Sequence, residues 1–424
     1  MTTVAAPAYA QHAPSDRSSA AAAAGESVSA ARQTGTPLTL AQAIEQALAN
    51  HPDLAAARHD VEAARGATDQ AGLLPNPELA ASVEDTRRAT RTTAIQINQR
   101  LELGGKRGAR VEAARLAQDA AEARLDARRA GVRADVQTAY WEVMTGQERL
   151  DLARQSRLSA LQAVDAASKR VTAGKVSPVE ETRARLALSS VDVEAAQAEQ
   201  ELQAARAKLG VLVGLPNPQV LNVPVALDAL GGGLGEQEMA RRLEQAPDIL
   251  LARLEVRRRE SVVELERSRA VPDVTVGFGT QRNNELGRNQ TLLGLSVPLP
   301  LFDRNQGNLR EALARADQSR EELLSTQRRV AADVRIALSQ LDNARRQALL
   351  VERQMLPDAQ RTYDAAREGF SLGKFGFLDV LDAQRTLFQA RALHLRALSD
   401  TLRAAAEIDR LTGEPIAVPG LSSQ

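Results

Sequence analysis

The chain of 424 residues has no cysteine, and aromatic side chains make up only 2% of it. The first absence excludes disulfides, thiolate zinc sites and a lipid-bearing N-terminal cysteine. The second leaves few bulky fillers for a thick globular core. No stretch reaches 18 apolar residues, so the sequence offers no transmembrane helix. Excess charge of one sign is missing too, with 54 basic and 54 acidic residues, and no nucleic-acid partner is expected. The four histidines, His12, His51, His59 and His394, form no H-E-x-x-H or Asp–His cluster, and no metal site or cofactor is expected. "GGKRG" at 104–108 lacks the spacing of a phosphate loop. No catalytic constellation is visible, and no enzyme activity is assigned.

What is present is Ala, Leu, Glu, Gln and Arg, all helix formers or nearly so, written twice over. "HPDLAAARHDVEAAR" at His51 corresponds to "APDILLARLEVRRRE" at Ala246, an offset of 195. Pro52 and Pro77 correspond to Pro247 and Pro272. "VRADVQTAYWEV" at Val132 matches "VAADVRIALSQL" at Val330, and "AGKVSP" at Ala173 matches "LGKFGF" at Leu372, offsets of 198 and 199. Order is preserved throughout, so each half repeats one supersecondary plan: helix, two strands, long helix, turn, helix.

This plan divides the chain into a segment 1–37, a first repeat 38–213, a connector 214–235, a second repeat 236–413 and a tail 414–424. "AYA" before Gln11 looks like a signal-peptidase site, and about 11–35 reads as disordered; a merely Ala-rich tail is the alternative. Thr39 and Gln42 suit a capping box, with a break expected at Pro52. Asp303 and Gln306 suit a second box. The long helices are expected over about 106–171, bent or broken near Gly146, and over about 306–368. At 1.5 Å per residue the first spans roughly 100 Å. At the reversal, Ser177 suits an N-cap and Pro178 the first helical position. Tyr140 and Trp141 read as packing residues.

Strands are expected at about 78–84, 94–103, 273–280 and 293–301. Each alternates. Leu79, Ala81 and Val83 oppose Ala80, Ser82 and Glu84. Ile95, Ile97, Leu101 and Leu103 oppose Gln96, Asn98, Arg100 and Glu102. Val274, Val276 and Phe278 oppose Thr275, Gly277 and Gly279. Leu293 to Leu301 oppose Gly294, Ser296 and two prolines. Alternation alone fits a soluble sheet covered by helix. The charged and amide-bearing face, and the hydrophilic loops "DTRRATRTT" and "QRNNELGRNQ", fit strands that cross a bilayer. Lipid tolerates no open sheet edge, and four strands are too few to close alone, so several chains must share one barrel. Physics permits two, three or four. Glu84, Gln96, Asn98, Arg100 and Glu102 are then the lumenal set, and the Ala-rich helices form a hollow cylinder instead of a solid bundle.

These features resemble the TolC-like outer-membrane efflux factor family. The resemblance is carried by "LLPNPEL" at 73–79, "ELGGKRGAR" at 102–110, "GKVSPVEETRARL" at 174–186, "VPLPLFDRNQGNL" at 297–309 and "GKFGFLDVLDAQRTLFQA" at 373–390. "VEDTRRATRTTAIQINQRLELGGKRGAR" from Val83 looks more specifically like the heavy-metal resistance subfamily of cobalt–zinc–cadmium and nickel–cobalt type. The resemblance implies a mainly α protein with a transmembrane β-barrel. It would be a homotrimer in the outer membrane of a Gram-negative bacterium, with a 12-stranded barrel continued by an α-helical periplasmic tunnel. Its partners would be outer-membrane lipid, a periplasmic adaptor and an inner-membrane proton-driven transporter of the resistance–nodulation–division (RND) class. The two hairpin tips, Gly174, Lys175, Ser177 and Pro178, and Gly373, Lys374, Phe375 and Gly376, would meet the adaptor. Arg367, Asp379 and Asp382 would be gate candidates, the two carboxylates sharing a helical face. Drug efflux, type I protein secretion and a soluble coiled-coil scaffold stand as alternatives.

Overall fold

The computed structural model describes residues 38–215, 223, 236–372 and 374–414. The segment 1–37, most of the connector 214–235, the tail beyond 414 and Gly373 lie outside the described residues. Each half follows the same order. The first comprises α1 (Leu40–Asn50), α2 (Pro52–Ala71), β1 (Glu78–Glu84), β2 (Thr92–Leu101), α3 (Lys106–Thr172) and α4 (Pro178–Val213). The second comprises α5 (Glu236–Glu244), α6 (Pro247–Arg269), β3 (Val274–Asn283), β4 (Arg288–Ser296), α7 (Gln306–Leu350), a π-helical turn (Val351–Met355), α8 (Leu356–Ser371) and α9 (Phe377–Thr412).

Local chemistry places these boundaries. The Thr39 hydroxyl and the Gln42 side chain cap α1 reciprocally. His51 then ends α1 and caps α2, its Nδ1 accepting the Asp53 N–H while Pro52 opens the next turn. In the second half Pro247 likewise opens a new helix, so the segment 236–269, a single helix by its sequence, is divided into α5 and α6. Gly146 does not break α3: it faces Leu202 of α4, whose Cα would lie 3.5 Å from a Cβ added at Gly146, so the missing side chain serves close helix packing. The long helix expected over 306–368 is interrupted by the π turn. Pro357 explains it, because its ring has no N–H and would press on the carbonyl one turn earlier. Asp303 and Gln306 form no capping box. Asn305 begins α7 in the left-handed region, with Asp303 accepting the Asn305 N–H and Gln306 accepting that of Arg304.

The helices bury narrow seams. One core gathers Leu54, Val136, Tyr140, Trp141, Leu209 and their neighbours from the first half, together with Leu402 and Ala406 of α9. Another gathers Ile249, Val330, Val334 and Ile408 of the second half. Tyr140 and Trp141 are packing residues; the Tyr140 hydroxyl donates to the Leu38 carbonyl. Elsewhere the contacts are small alanine clusters. Such seams hold helices one layer deep and leave both surfaces wet.

The four strands form one antiparallel sheet in the order β1-β2-β3-β4, the two halves joining along β2 and β3. Three strands differ in extent from the sequence reading: β3 runs on to Asn283 and β4 begins earlier, at Arg288, because the ladder continues to the hairpin loop. β2 starts earlier and ends at Leu101, because Asp273 takes the Leu103 N–H with its side chain. β4 ends at Ser296 instead of running through 293–301, since Pro298 and Pro300 bring no N–H to a ladder.

Candidate functional site

The sheet is turned inside out relative to a soluble one. Register aligns Leu79, Ile97, Phe278 and Leu293 in one row across all four strands. These side chains are 73%, 55%, 63% and 81% exposed, so the apolar face is the open one. The opposite face is the shielded one. Gln96 and Asn98 are half-buried there, with Gln96 donating to Asn98 across 2.8 Å, and Gly277 is buried beside them. Glycines make room: a side chain on Gly277 would run into the Gln96 amide, and one on Gly294 would lie 3.0 Å from it. Among the expected lumenal residues, Glu84, Gln96, Asn98 and Arg100 share this face by strand parity, with Glu84 and Arg100 exposed near its two ends.

Glu102 lies past the end of β2 and is taken up by the junction. Arg110 of α3 grips it, Nη1 to Oε1 at 2.6 Å, and also donates to the carbonyls of Ala71 and Leu73. Lys106 holds Asp273 at 2.6 Å on the other side of the junction. Gly104 completes the crossing from strand to helix at φ +71°, with Val271 and the Ser268 carbonyl packed where a Cβ would stand. The hydrogen bond from Arg110 holds the Glu102 carboxyl below its ordinary 4.5, against the opposing effect of burial. Burial alone would raise Asp273, but the Lys106 ammonium and the Leu103 N–H carry it below 3.8. Both folded-state values are depressed, so this stabilisation is complete above the unfolded values and is lost as pH falls through the folded ones. Arg110→Ala is expected to cost about 2 kcal/mol per chain. It should also flatten the acid limb of a pH–melting profile, while leaving the stability ranking above pH 6 set by the lost bonds alone.

At the far end of the helices are the two reversals. Gly174 turns at φ +65°, the Lys175 N–H reaching back to the Arg170 carbonyl and the Gly174 N–H to that of Val171. Ser177 then caps α4 with Pro178 in the first turn. In the second tip the Lys374 N–H returns to the Gly369 carbonyl, and the exposed Phe375 ring lies over Gly369. Asp379 accepts the Gly376 N–H at 2.8 Å, so this gate candidate also caps α9. Arg367 and Asp382 point to solvent. Two features were missed from sequence. Arg170 of the first hairpin lies over the Phe370 ring of the second, 5.3 Å from its centroid, and the π turn was signalled only by Pro357. No group of acids and histidines that could hold a metal occurs among the described residues.

An apolar exterior, a polar interior and helices rooted through one junction are the marks of a membrane conduit, and outer membrane efflux protein sequences match residues 43–215 and 240–414. The chain belongs to the outer membrane efflux protein family. Members of this family are transport proteins of the outer membrane with a long helical periplasmic extension, not enzymes. The chain is 42% identical over 382 residues, 90% of its length and 91% of the relative's, to the cobalt-zinc-cadmium resistance protein CzcC of Cupriavidus metallidurans. It is 26% identical to the nickel and cobalt resistance protein CnrC of the same organism, covering 67% of this chain and 69% of that one. The fold is also that of solved outer-membrane channels. A membrane protein from Pseudomonas aeruginosa superposes with a TM-score of 0.77 at 22% identity, covering 89% and 90% of the two chains. The channel CusC gives 0.73 at 22%, covering 88% and 92%.

Proposed function

We propose that the protein is the outer-membrane channel of a tripartite, proton-driven efflux system of RND type that expels divalent heavy-metal cations. Three copies close a 12-stranded barrel in lipid and continue it as a periplasmic tunnel. The observation that carries this is the inverted sheet, with its open apolar row and its shielded amide face, in a chain similar to CzcC over 90% of its length. An open, wet conduit suits cations that must be released, whereas a tight site would retain them. The energy comes from the inner-membrane partner.

The tips Gly174, Lys175, Ser177, Pro178 and Gly373, Lys374, Phe375, Gly376 are assigned to the periplasmic adaptor. Both are short turns with exposed residues at the helical ends farthest from the sheet, the geometry an adaptor hairpin needs. Arg367, Asp379 and Asp382 are assigned to the periplasmic constriction. Lumenal roles are assigned to Glu84, Gln96, Asn98 and Arg100, and a junction role to Glu102. The domain division at 38–213 and 236–413 follows the duplicated plan.

Deletion of the gene tests the reading. Tolerance to Co, Zn and Cd should fall several-fold while tolerance to hydrophobic drugs stays level, with restoration by the wild-type chain. Loss of drug tolerance with intact metal tolerance would favour a drug channel. A fully soluble, monomeric product would favour the scaffold.

A further inference from the structure

The two ends of the sheet treat their charges differently. At the helical end Lys106 is paired with Asp273 and Arg110 with Glu102. At the loop end the one ion pair among the described residues is a long one, Arg87 to Asp85. Residues 84–91 and 282–288 hold five arginines, Arg87, Arg88, Arg91, Arg282 and Arg288, against three acids, Glu84, Asp85 and Glu285. The balance is 5 − 3, or +2 per chain, and +6 for three chains.

Asp85 is spent on its own loop: it accepts from the Thr90 hydroxyl and the Arg87 N–H, and its ion pair to Arg87 is 3.6 Å long with that side chain 86% exposed. The guanidinium groups of Arg88 and Arg288 are exposed and have no hydrogen bond or ion pair among the described residues. Arg282 has only the Asn289 amide at 3.3 Å. The loop is nonetheless well built, because Asn284 ties the two hairpins together by donating to the carbonyls of Arg88 and Arg91. Fixed, unpaired cations at one end of a structure imply an anion supplied from outside.

Register says where that anion lies. Arg282 shares its row with Val83, Thr93 and Asn289, on the face of Leu79, Ile97 and Phe278 and directly above that apolar band. Ten-residue strands tilted as in other barrels rise about 25 Å, the height of the apolar band of outer-membrane barrels. The loops are short, 85–91 and 284–287, so the rim stands level with lipid head groups instead of above them. In the outer leaflet of this membrane those head groups are phosphorylated glycolipids.

We infer that Arg88 and Arg282 bind the phosphates of outer-leaflet lipopolysaccharide and anchor the barrel mouth in that leaflet; Arg288, opposite Asn283 in the register, lies on the Gln96 face and is no part of this site. The inference requires the outer-membrane barrel but not the metal cargo. Guanidinium forks match phosphate oxygens bidentately, and three such pairs around one barrel give each lipid several cations.

The test uses the purified trimer, delipidated and then exposed to defined lipid A, with bound lipid counted by native mass spectrometry. Bis-phosphorylated lipid A should be retained, and the fully dephosphorylated form retained at least tenfold less. Arg88→Ser with Arg282→Ser should lower retention of the phosphorylated form by at least tenfold, the corresponding double Lys variant should restore most of it, and Arg288→Ser should leave it unchanged. Arg88→Ser alone, confined to an exposed loop, should lose about fivefold. Equal retention of the dephosphorylated lipid, or unchanged retention in the double Ser variant or in Arg88→Ser, overturns the inference.

Discussion

Ile97→Arg is expected to remove the assembled channel from the outer membrane. Ile97 sits at the centre of β2, in the row with Leu79, Phe278 and Leu293, and is 55% exposed in the single chain. If that face meets hydrocarbon, one arginine at mid-depth costs about 2–4 kcal/mol. Three symmetry copies bring the cost to about 6–12 kcal/mol. The neighbouring change Asn98→Arg places the same charge one residue on, across the sheet, where it faces water. Membrane fractions separated by density, probed for the heat-sensitive trimer, should show wild-type amounts for Asn98→Arg and almost none for Ile97→Arg. Equal amounts of both would mean that the apolar row does not meet lipid.

A second large loss should follow Gly279→Ala. A Cβ at this position would stand 2.8 Å from Gln96 Cα and closer still to the Ile95 carbonyl oxygen. Both are backbone atoms of the adjoining strand, so β2 and β3 must separate where the two halves of the chain meet. Overpacking of this kind costs about 1–3 kcal/mol in each chain, and every chain in the ring carries it. Gly277→Ala is the control. Its Cβ meets the amide ends of Gln96 and Asn98, which are the far ends of flexible side chains and can swing aside. Trimer melting temperature should drop steeply for Gly279→Ala and slightly for Gly277→Ala; the reverse order would place the sheet differently from this register.

The sheet was legible because side-chain period and pairing chemistry are local. Ile95, Gln96, Ile97 and Asn98 announce two faces without any knowledge of their neighbours. β4 was harder: Val297, Leu299 and Leu301 continue the alternation beyond Ser296, and only the missing N–H groups of Pro298 and Pro300 stop the ladder. The helix boundaries at Thr39, His51 and Ser177 follow from capping groups within a few residues. Glu102 was different. Its parity with Gln96 and Asn98 pointed to the lumen, but Arg110 comes from the next helix and captures it, a tertiary event that alternation does not encode. Asp379 likewise shares a helical face with Asp382 in sequence, yet its carboxylate serves the Gly376 N–H. The Arg170–Phe370 stack joins residues 200 apart and has no local signal at all.

The π turn at Val351–Met355 carries a consequence for how the two halves came to differ. Between Val132 and Val330 the spacing is 198, and between Ala173 and Leu372 it is 199. The later half therefore has 199 − 198, or one, more residue over this stretch. A π turn is the place where a helix accommodates one surplus residue without rotating everything beyond it. The insertion is swallowed within five residues, and the alanine seams on either side, Ala344 and Ala348 before it and Ala359 and Ala366 after it, stay buried. A copying error that would have swung the lower hairpin through a quarter-turn has instead been stored as a bulge, and the twin rods kept their phase.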